Sequence, residues 1–235
     1  MLLHTTTWGS GDRIALLVHG LMADHRTWRR VGPALAERGY RVIAVDLRGH
    51  GRSGRAAGPA EYRPRDYADD LVETLPSGAE LAVGHSLGGL ALARAVGRLA
   101  PARAVYSDPA WHLSAGPCGY RAEMFVRGTS LTREQIRAFH PHWSDEDVDT
   151  EMASVRAWDE RSAYGLGEFV GADMWPVRAE VPSLVALADP SSLVRPEHAR
   201  MLTERGFAVR TVKGAGHTIH RDEFEGFMSA LDDWI

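Results

Sequence analysis

A serine between two glycines stands where an apolar strand pattern gives way to a helical one. The pentapeptide Gly84–Gly88, with Ser86 at its centre, follows the apolar run 81–83, and residues 91–99 have helical character. A Gly-x-Ser-x-Gly pattern in this setting predicts a sharp strand–turn–helix connection that holds the serine hydroxyl clear of the sheet. Both glycines fit that turn, because a Cβ at either position would crowd it.

The remaining pattern predicts an α/β fold with a mostly parallel central sheet and helices on both faces. Short apolar runs alternate with helical segments over most of the 235 residues, and this alternation is typical of such a sheet. Residues 2–8 and 14–18 flank a glycine-rich turn, and we expect them to form an antiparallel hairpin. Asp66 to Leu75 and Glu223 to Trp234 are predicted helices.

One segment interrupts this alternation and has helical character throughout. Thr132 and Ser144 are candidate N-caps within it. We therefore expect a core domain formed by residues 1–109 and 177–235, into which residues 110–176 insert as a helical cap.

Composition and charge exclude several classes of function. The formal net charge is −4 and no long basic stretch occurs, so we expect no nucleic-acid partner. We see no signal peptide and no run of membrane-spanning length, and we expect no membrane association. The single cysteine, Cys118, excludes an internal disulfide and favours a reducing, cytoplasmic location.

Taken together, several motifs resemble the α/β-hydrolase fold family over essentially the whole chain. The likeness rests on His19-Gly20, the loop 46–53, the turn 84–89, Asp189 and the run 214–217, which reads Gly-Ala-Gly-His. They occur in the order and at the spacing of that family. The resemblance implies a serine hydrolase with an inserted cap.

Nucleophilic catalysis by Ser86 requires a base and a group that orients the base. A serine hydroxyl is a poor nucleophile near neutral pH until a neighbouring base takes its proton. The family order of serine, acid and histidine points to His217 as this base. His220 competes for the role, although we expect it to head the final helix.

The acid is predicted less directly, because two aspartates follow neighbouring strands. Asp189 comes just after the predicted strand 183–187, where the family usually has its carboxylate, and it is the predicted acid. Asp108, after the preceding strand, is the alternative, since some relatives carry the acid there. Each aspartate precedes a proline and could equally be a turn residue. The run 187–190 also departs from the Gly-x-x-Asp pattern of many relatives.

An oxyanion formed during acyl transfer needs hydrogen-bond donors. We expect them to be the backbone N–H groups of Leu87, at the start of the helix after the serine, and of Leu21, with Met22 as the alternative to Leu21. His19 is expected to brace its loop without transferring protons.

The glycines from Gly49 to Gly54 match a dinucleotide-binding pattern. A dinucleotide site needs a helix to begin there, and none is expected before Pro64. We interpret these glycines as a loop in which Asp46 and Ser53 bind backbone groups. No histidine cluster has metal-ligand spacing, so we expect neither a metal nor a cofactor.

The cap is rich in aromatic residues, which predicts a compact, mainly hydrophobic substrate. The candidate substrate contacts are Trp111, Trp143, Trp158 and Trp175. The leading hypothesis is a serine hydrolase that cleaves a carboxylic ester or lactone through an acyl-enzyme.

Other activities stay open at this point. They are carbon–carbon hydrolysis of a diketone, cofactor-free perhydrolysis, ligand sensing with slow turnover and a dinucleotide-dependent oxidoreductase. Epoxide hydrolysis is disfavoured, because those relatives carry aspartate where Ser86 stands. Monomer and homodimer are both compatible with the sequence.

Overall fold

The computed structural model describes residues 1–117 and 119–235, so Cys118 lies outside the described residues, and the expectation of a reducing compartment built on it stays a prediction. A seven-stranded sheet forms the centre of the fold, in the order β1-β3-β2-β4-β5-β6-β7. The strands are β1 (Thr5–Trp8), β2 (Arg13–Val18), β3 (Tyr40–Val45), β4 (Leu81–His85), β5 (Arg103–Ser107), β6 (Ser183–Leu187) and β7 (Ala208–Thr211). Every neighbouring pair is parallel except β1 with β3. The predicted α/β fold with a mostly parallel sheet is confirmed.

Helices cover both faces of the sheet and fill the segment between β5 and β6. The α-helices are α1 (Val31–Glu37), α2 (Pro64–Thr74), α3 (Leu87–Leu99), α4 (Ala122–Gly128), α5 (Arg133–Phe139), α6 (Asp145–Arg156), α7 (Arg161–Gly167), α8 (Pro196–Glu204), α9 (Ile219–Asp222) and α10 (Phe224–Leu231). Two 3-10 turns span His25–Trp28 and Pro59–Glu61. No described helix combines the length and the apolar character needed to cross a bilayer.

The predicted hairpin between the first two strands is wrong. β1 pairs antiparallel with β3, with Thr5 opposite Val45, and β2 lies between β3 and β4. Both edges of β2 are therefore occupied by parallel neighbours, and the open edge for β1 is the far side of β3.

The central strands β4, β5 and β6 are buried on both faces, which explains their largely apolar runs, whereas the edge strands β1 and β7 are partly exposed. Along β2, Leu16 and Val18 pack in one hydrophobic cluster with α2 and α3. Ala15 and Leu17 pack in another cluster with α1 and α10 on the opposite face. This alternation follows from the two-residue period of a strand.

Residues 110–176, which we call the insertion, contain α4 to α7. Both predicted caps are confirmed, because the hydroxyl of Thr132 accepts the N–H of Gln135 at 3.3 Å and that of Ser144 accepts the N–H of Asp147 at 3.1 Å. The domain limits and the role of the insertion as a cap stay predictions.

Candidate active site

Ser86 occupies a strained turn between β4 and α3. Its backbone has φ 52° and ψ −115°, in a region that non-glycine residues rarely adopt. Backbone hydrogen bonds hold it there: its N–H donates to Ser107 O at 3.0 Å, and its carbonyl accepts from Leu90 and Ala110, each at 3.1 Å. The predicted strand–turn–helix geometry is therefore present.

The glycines beside Ser86 are required by close backbone contacts. A Cβ on Gly84 would lie 2.6 Å from Gly88 O, and a Cβ on Gly88 would lie 2.3 Å from Val18 O. Gly20 has a similar constraint, since its Cβ would lie 3.1 Å from the Cβ of Ser86. The loop after β2 thus passes directly against the serine.

A continuous hydrogen-bonded chain joins Ser86, His217 and Asp108. His217 Nε2 lies 3.0 Å from Ser86 Oγ, and His217 Nδ1 lies 2.6 Å from Asp108 Oδ2. An ionised carboxylate only accepts hydrogen bonds, so Nδ1 carries the proton and Nε2 is free to accept from the serine hydroxyl. Asp108 is fully buried, whereas 41% of the His217 side chain is exposed. This arrangement can transfer a proton from serine to imidazole.

The carboxylate on His217 is Asp108, and the expectation that it would be Asp189 is corrected. β5, which ends at Ser107, is the direct neighbour of β4, so the residue after it lies beside the serine turn. Asp108 adopts φ 39° in this tight connection. Asp189 follows β6, one strand farther away; its side chain is exposed, and its N–H donates to Ala215 O at 2.8 Å.

The loop that carries His217 is anchored on both sides. The buried His85 donates from Nε2 to the carbonyl of His217 at 2.9 Å. Burial lowers the pKa of His85 well below its ordinary value, so the ring is neutral. On the other side, Asp222 Oδ2 accepts the N–H of Thr218 at 3.1 Å. Contrary to expectation, His220 does not head the final helix but lies in the short helix α9 before it, where it stacks on Trp28 with ring centroids 4.1 Å apart.

His19 acts as a brace, in agreement with the expectation for it. Its Nε2 accepts the N–H of Leu47 at 2.9 Å, and its Nδ1 donates to Gly20 O at 2.7 Å. Burial lowers the pKa of His19. Both ring nitrogens are thereby committed to the backbone of the loops after β2 and β3.

The expected oxyanion donors sit beside the serine. Leu87 is the first residue of α3, so its N–H has no acceptor within the helix. Leu21 follows Gly20, the glycine packed on Ser86, and Met22 turns the chain away with φ 63°. Their role as donors stays a prediction.

The glycine-rich loop after β3 is closed by its own side chains. Asp46 accepts the N–H of His25 at 2.8 Å and that of Arg52 at 2.9 Å, while Ser53 Oγ donates to Asp46 O at 2.6 Å. A Cβ on Gly51 would lie 2.4 Å from the Asp46 carboxylate. These contacts confirm the loop interpretation, since α2 begins only at residue 64.

One group of side chains has metal-ligand atoms close together in the described ranges. His4, His25 and Asp46 bring one such atom each within 4.8 Å of one another. His25 Nδ1 is already hydrogen-bonded to Asp46 Oδ1 at 2.7 Å. The sequence did not connect these residues because they are far apart along the chain.

Two of the four candidate tryptophans, Trp111 and Trp175, lie where the insertion packs against the core. Trp111 is fully buried, and its indole N–H donates to Gly89 O at 3.2 Å. Trp175 packs edge-on against it with ring centroids 6.0 Å apart, and also against His198 at 4.5 Å. These rings support the packing of the insertion on α3.

The other two tryptophans also have protein partners. The Trp143 N–H donates to Asp222 Oδ1 at 2.6 Å, and the Trp158 N–H donates to Ser162 Oγ at 2.7 Å. None of the four rings lines the large cavity of the insertion. That these tryptophans contact substrate stays a prediction.

The insertion and Met22 line an open cavity of about 500 Å³. Its apolar lining includes Met22, Phe125, Ile136, Phe139, Met152 and Val155. Met152 and Val155 recur at helical spacing in the sequence, a signal that marked an apolar face without showing what it faces. The other lining residues carried no distinguishing signal.

This cavity is adjacent to both loops that flank Ser86. Met22 belongs to the loop that passes the serine. On the opposite side, His140 lines the cavity and its Nδ1 lies 4.0 Å from Asp222 Oδ1. Asp222 in turn holds the N–H of Thr218, the residue after His217. The cavity is therefore linked to the loop before Ser86 through Met22, and to the loop that carries His217 through His140 and Asp222.

Comparisons with known proteins agree with this fold. Residues 15–230 match the model of the alpha/beta hydrolase family. The chain is 26% identical over 259 residues to an N-formylmaleamate deformylase from Pseudomonas putida, covering 99% of this chain and 92% of the relative. A solved N-formylmaleamic acid deformylase from the same species superposes with a TM-score of 0.83 and 21% identity, covering 97% and 95% of the two chains.

A shorter match links the chain to an epoxide hydrolase from Caballeronia sordidicola. The two are 39% identical over 89 residues, which is 37% of this chain and 27% of the relative. The match thus covers only about a quarter of that curated relative.

Proposed function

The chain belongs to the alpha/beta hydrolase family, and from this we propose that it is a serine hydrolase that cleaves a small, mainly hydrophobic carboxylic ester or lactone through an acyl-enzyme. The observation that carries the proposal is the chain of hydrogen bonds from Ser86 through His217 to Asp108. The cytoplasmic location expected from the low cysteine content is part of the same proposal.

In the acylation step, Ser86 Oγ attacks the substrate carbonyl while its proton passes to His217 Nε2. The resulting imidazolium lies 2.6 Å from the buried carboxylate of Asp108, which stabilises the positive charge and keeps the ring oriented. The backbone N–H groups of Leu87 and Leu21 bind the oxyanion. A donor of this kind is worth about 3 kcal/mol of the barrier.

Collapse of the tetrahedral intermediate breaks the carbonyl–oxygen bond of the ester. His217 gives its proton to the departing alkoxide, and Ser86 is left acylated. The neutral imidazole then takes a proton from water, which attacks the acyl carbonyl; the second tetrahedral intermediate collapses by breaking the bond to Ser86 Oγ, His217 returns the proton to that oxygen, and the acid is released. With a lactone, the alcohol remains attached, and the product is one ring-opened hydroxy acid.

Hydrolysis of an N-formyl amide is a second candidate. The observation that favours it is the similarity to N-formylmaleamate deformylase over 99% of the chain. The same groups would serve, with His217 protonating a departing nitrogen instead of an oxygen. The epoxide hydrolase match covers only part of the chain, and a serine at position 86 does not fit the aspartate nucleophile expected for that reaction.

A substrate panel tests the proposal. Purified protein is offered 4-nitrophenyl esters, aliphatic lactones and N-formyl amides, with Ser86→Ala as the matched control. We expect ester or lactone turnover that Ser86→Ala abolishes while the thermal unfolding curve stays similar. Turnover of the N-formyl amide alone would select the second candidate. Equal rates in both proteins would refute the serine mechanism, and an acyl-enzyme burst without turnover would indicate a sensor.

A further inference from the structure

The charge of the large cavity is set by three ionisable side chains in a mostly apolar lining. They are His140, Glu151 and Arg156, the last of which ends α6. A charge without a partner at such a cavity attracts a ligand of the opposite sign. Whether each of these three side chains carries a charge without a partner therefore decides which charge on a substrate the cavity favours.

The negative charge of Glu151 is already compensated. Its Oε2 accepts a hydrogen bond from Arg221 Nη1 at 2.6 Å. The Arg221 side chain is 3% exposed, and its guanidinium lies 3.6 Å above the ring of Trp143. This cation is fixed by packing, so Glu151 presents little net charge to the cavity.

His140 contributes no positive charge near neutral pH. Burial lowers its pKa, although the carboxylates of Asp222 and Glu151 oppose the effect. The ring stacks on Trp143 with centroids 3.7 Å apart. The neutral ring lines the cavity on the side of Asp222, which holds the loop that carries His217.

Arg156 is the cation that remains. Among the described residues, no carboxylate oxygen lies within 4.0 Å of its guanidinium. The Arg156 side chain is exposed to solvent, and a guanidinium can bind a carboxylate through two parallel hydrogen bonds. The cavity therefore combines an apolar lining, which reaches the loop before Ser86 through Met22, with one positive charge at its exposed edge that has no carboxylate partner.

We propose that Arg156 binds a carboxylate of the substrate, remote from the carbonyl that Ser86 attacks. This inference rests on the proposed function. It specifies the substrate class as an ester, lactone or amide with a short apolar body and a free carboxylate at the far end. The mainly hydrophobic character of the substrate is retained, with one anionic group added.

A matched pair of substrates tests the inference. They are the 4-nitrophenyl monoester of adipic acid and the methyl ester of that compound, which differ in one negative charge. Both are assayed with wild type, Arg156→Gln, Arg156→Lys and Arg127→Gln. Arg127 is an exposed arginine of α4 that does not line the cavity, so its loss changes net charge equally. Background hydrolysis is measured with Ser86→Ala.

We expect wild type to favour the acid through a lower KM. The ratio of kcat/KM for acid over methyl ester should fall about fivefold in Arg156→Gln, the upper end of the effect expected for a solvent-exposed ion pair. Arg156→Lys should recover part of the ratio, and Arg127→Gln should leave it unchanged. Free adipate should inhibit wild type competitively and Arg156→Gln more weakly.

The outcomes separate this inference from the proposed function. Serine-dependent turnover with no preference for the acid would overturn the inference and leave the function standing. Equal changes in Arg156→Gln and Arg127→Gln would also overturn it, since net charge alone would then explain the effect. If wild type cleaves neither ester, the proposed function fails and the inference falls with it.

Discussion

Replacing Asp108 by asparagine should disable the enzyme while the exposed Asp189 tolerates the same change. The carboxylate lies 2.6 Å from His217 Nδ1, and at an effective dielectric constant of about 20 its attraction for an imidazolium at that distance is about 6 kcal/mol. Since about 1.4 kcal/mol corresponds to a factor of ten in rate, we expect kcat to fall about 10⁴-fold. This agrees with the effect of about 10⁴-fold that the equivalent change has in a serine protease.

Asparagine would also reverse the tautomer of the imidazole. Its amide N–H₂ can donate to Nδ1, which moves the ring proton to Nε2 and leaves Ser86 without an acceptor. The loss in Asp108→Asn should therefore persist at higher pH, because deprotonating the ring does not restore the correct tautomer.

The assay is steady-state hydrolysis of a 4-nitrophenyl ester by wild type, Asp108→Asn and Asp189→Asn, with thermal unfolding followed in parallel. Asp189→Asn should stay within about twofold of wild type, as for surface changes away from such features. A larger loss in Asp189→Asn than in Asp108→Asn, with both proteins folded, would refute the assignment of the acid.

Three further predictions concern packing and acid stability. Gly88→Ala should lower both kcat and the melting temperature, because its Cβ would lie 2.3 Å from Val18 O and overpacking costs about 1–3 kcal/mol. An unchanged melting curve would contradict this. Met152→Trp should fill the cavity and raise KM for long acyl esters more than for acetyl esters; equal effects would mean that acyl groups bind elsewhere. Burial lowers the pKa of His50 and of His220 to about 3, so the unfolded chain binds their protons first as the pH falls. Each histidine should lower the free energy of unfolding by about 1.4 kcal/mol per pH unit below about pH 6.5. His220→Phe should therefore reduce the dependence of the unfolding free energy on pH, measured by urea titrations between pH 7 and 5.

The part of the site that the sequence predicts is the part fixed by local geometry. Ser86 stands in a turn whose two glycines and flanking strand and helix are contiguous in the chain. His217 was found because a glycine-rich loop follows the last strand. Neither inference requires knowledge of which strands are neighbours.

The acid depends on strand order, which the local pattern does not contain. Asp108 and Asp189 both follow a buried strand and both precede proline. Only the pairing of β4 with β5 decides that Asp108 lies beside the serine turn. The prediction that β1 pairs with β2 is wrong for the same reason. The partner of β1 depends on which edge of the sheet remains open, and that edge belongs to β3.

The cavity could not be predicted for a related reason. Aromatic content marks residues that will be buried, but it does not show whether a ring faces a cavity or a packed interior. Trp143 and Trp158 find hydrogen-bond acceptors inside the protein, whereas Met152 and Phe125 line the open space. The orientation of each helix in the insertion decides between these outcomes.

Covalent labelling with a fluorophosphonate, followed by peptide mapping, tests directly whether Ser86 is activated by His217. We predict a single adduct on Ser86, absent in Ser86→Ala and formed at least about a hundredfold more slowly in His217→Gln, the lower limit for loss of a general base. An adduct on another residue, or labelling of Ser86 at the wild-type rate in His217→Gln, would contradict the account.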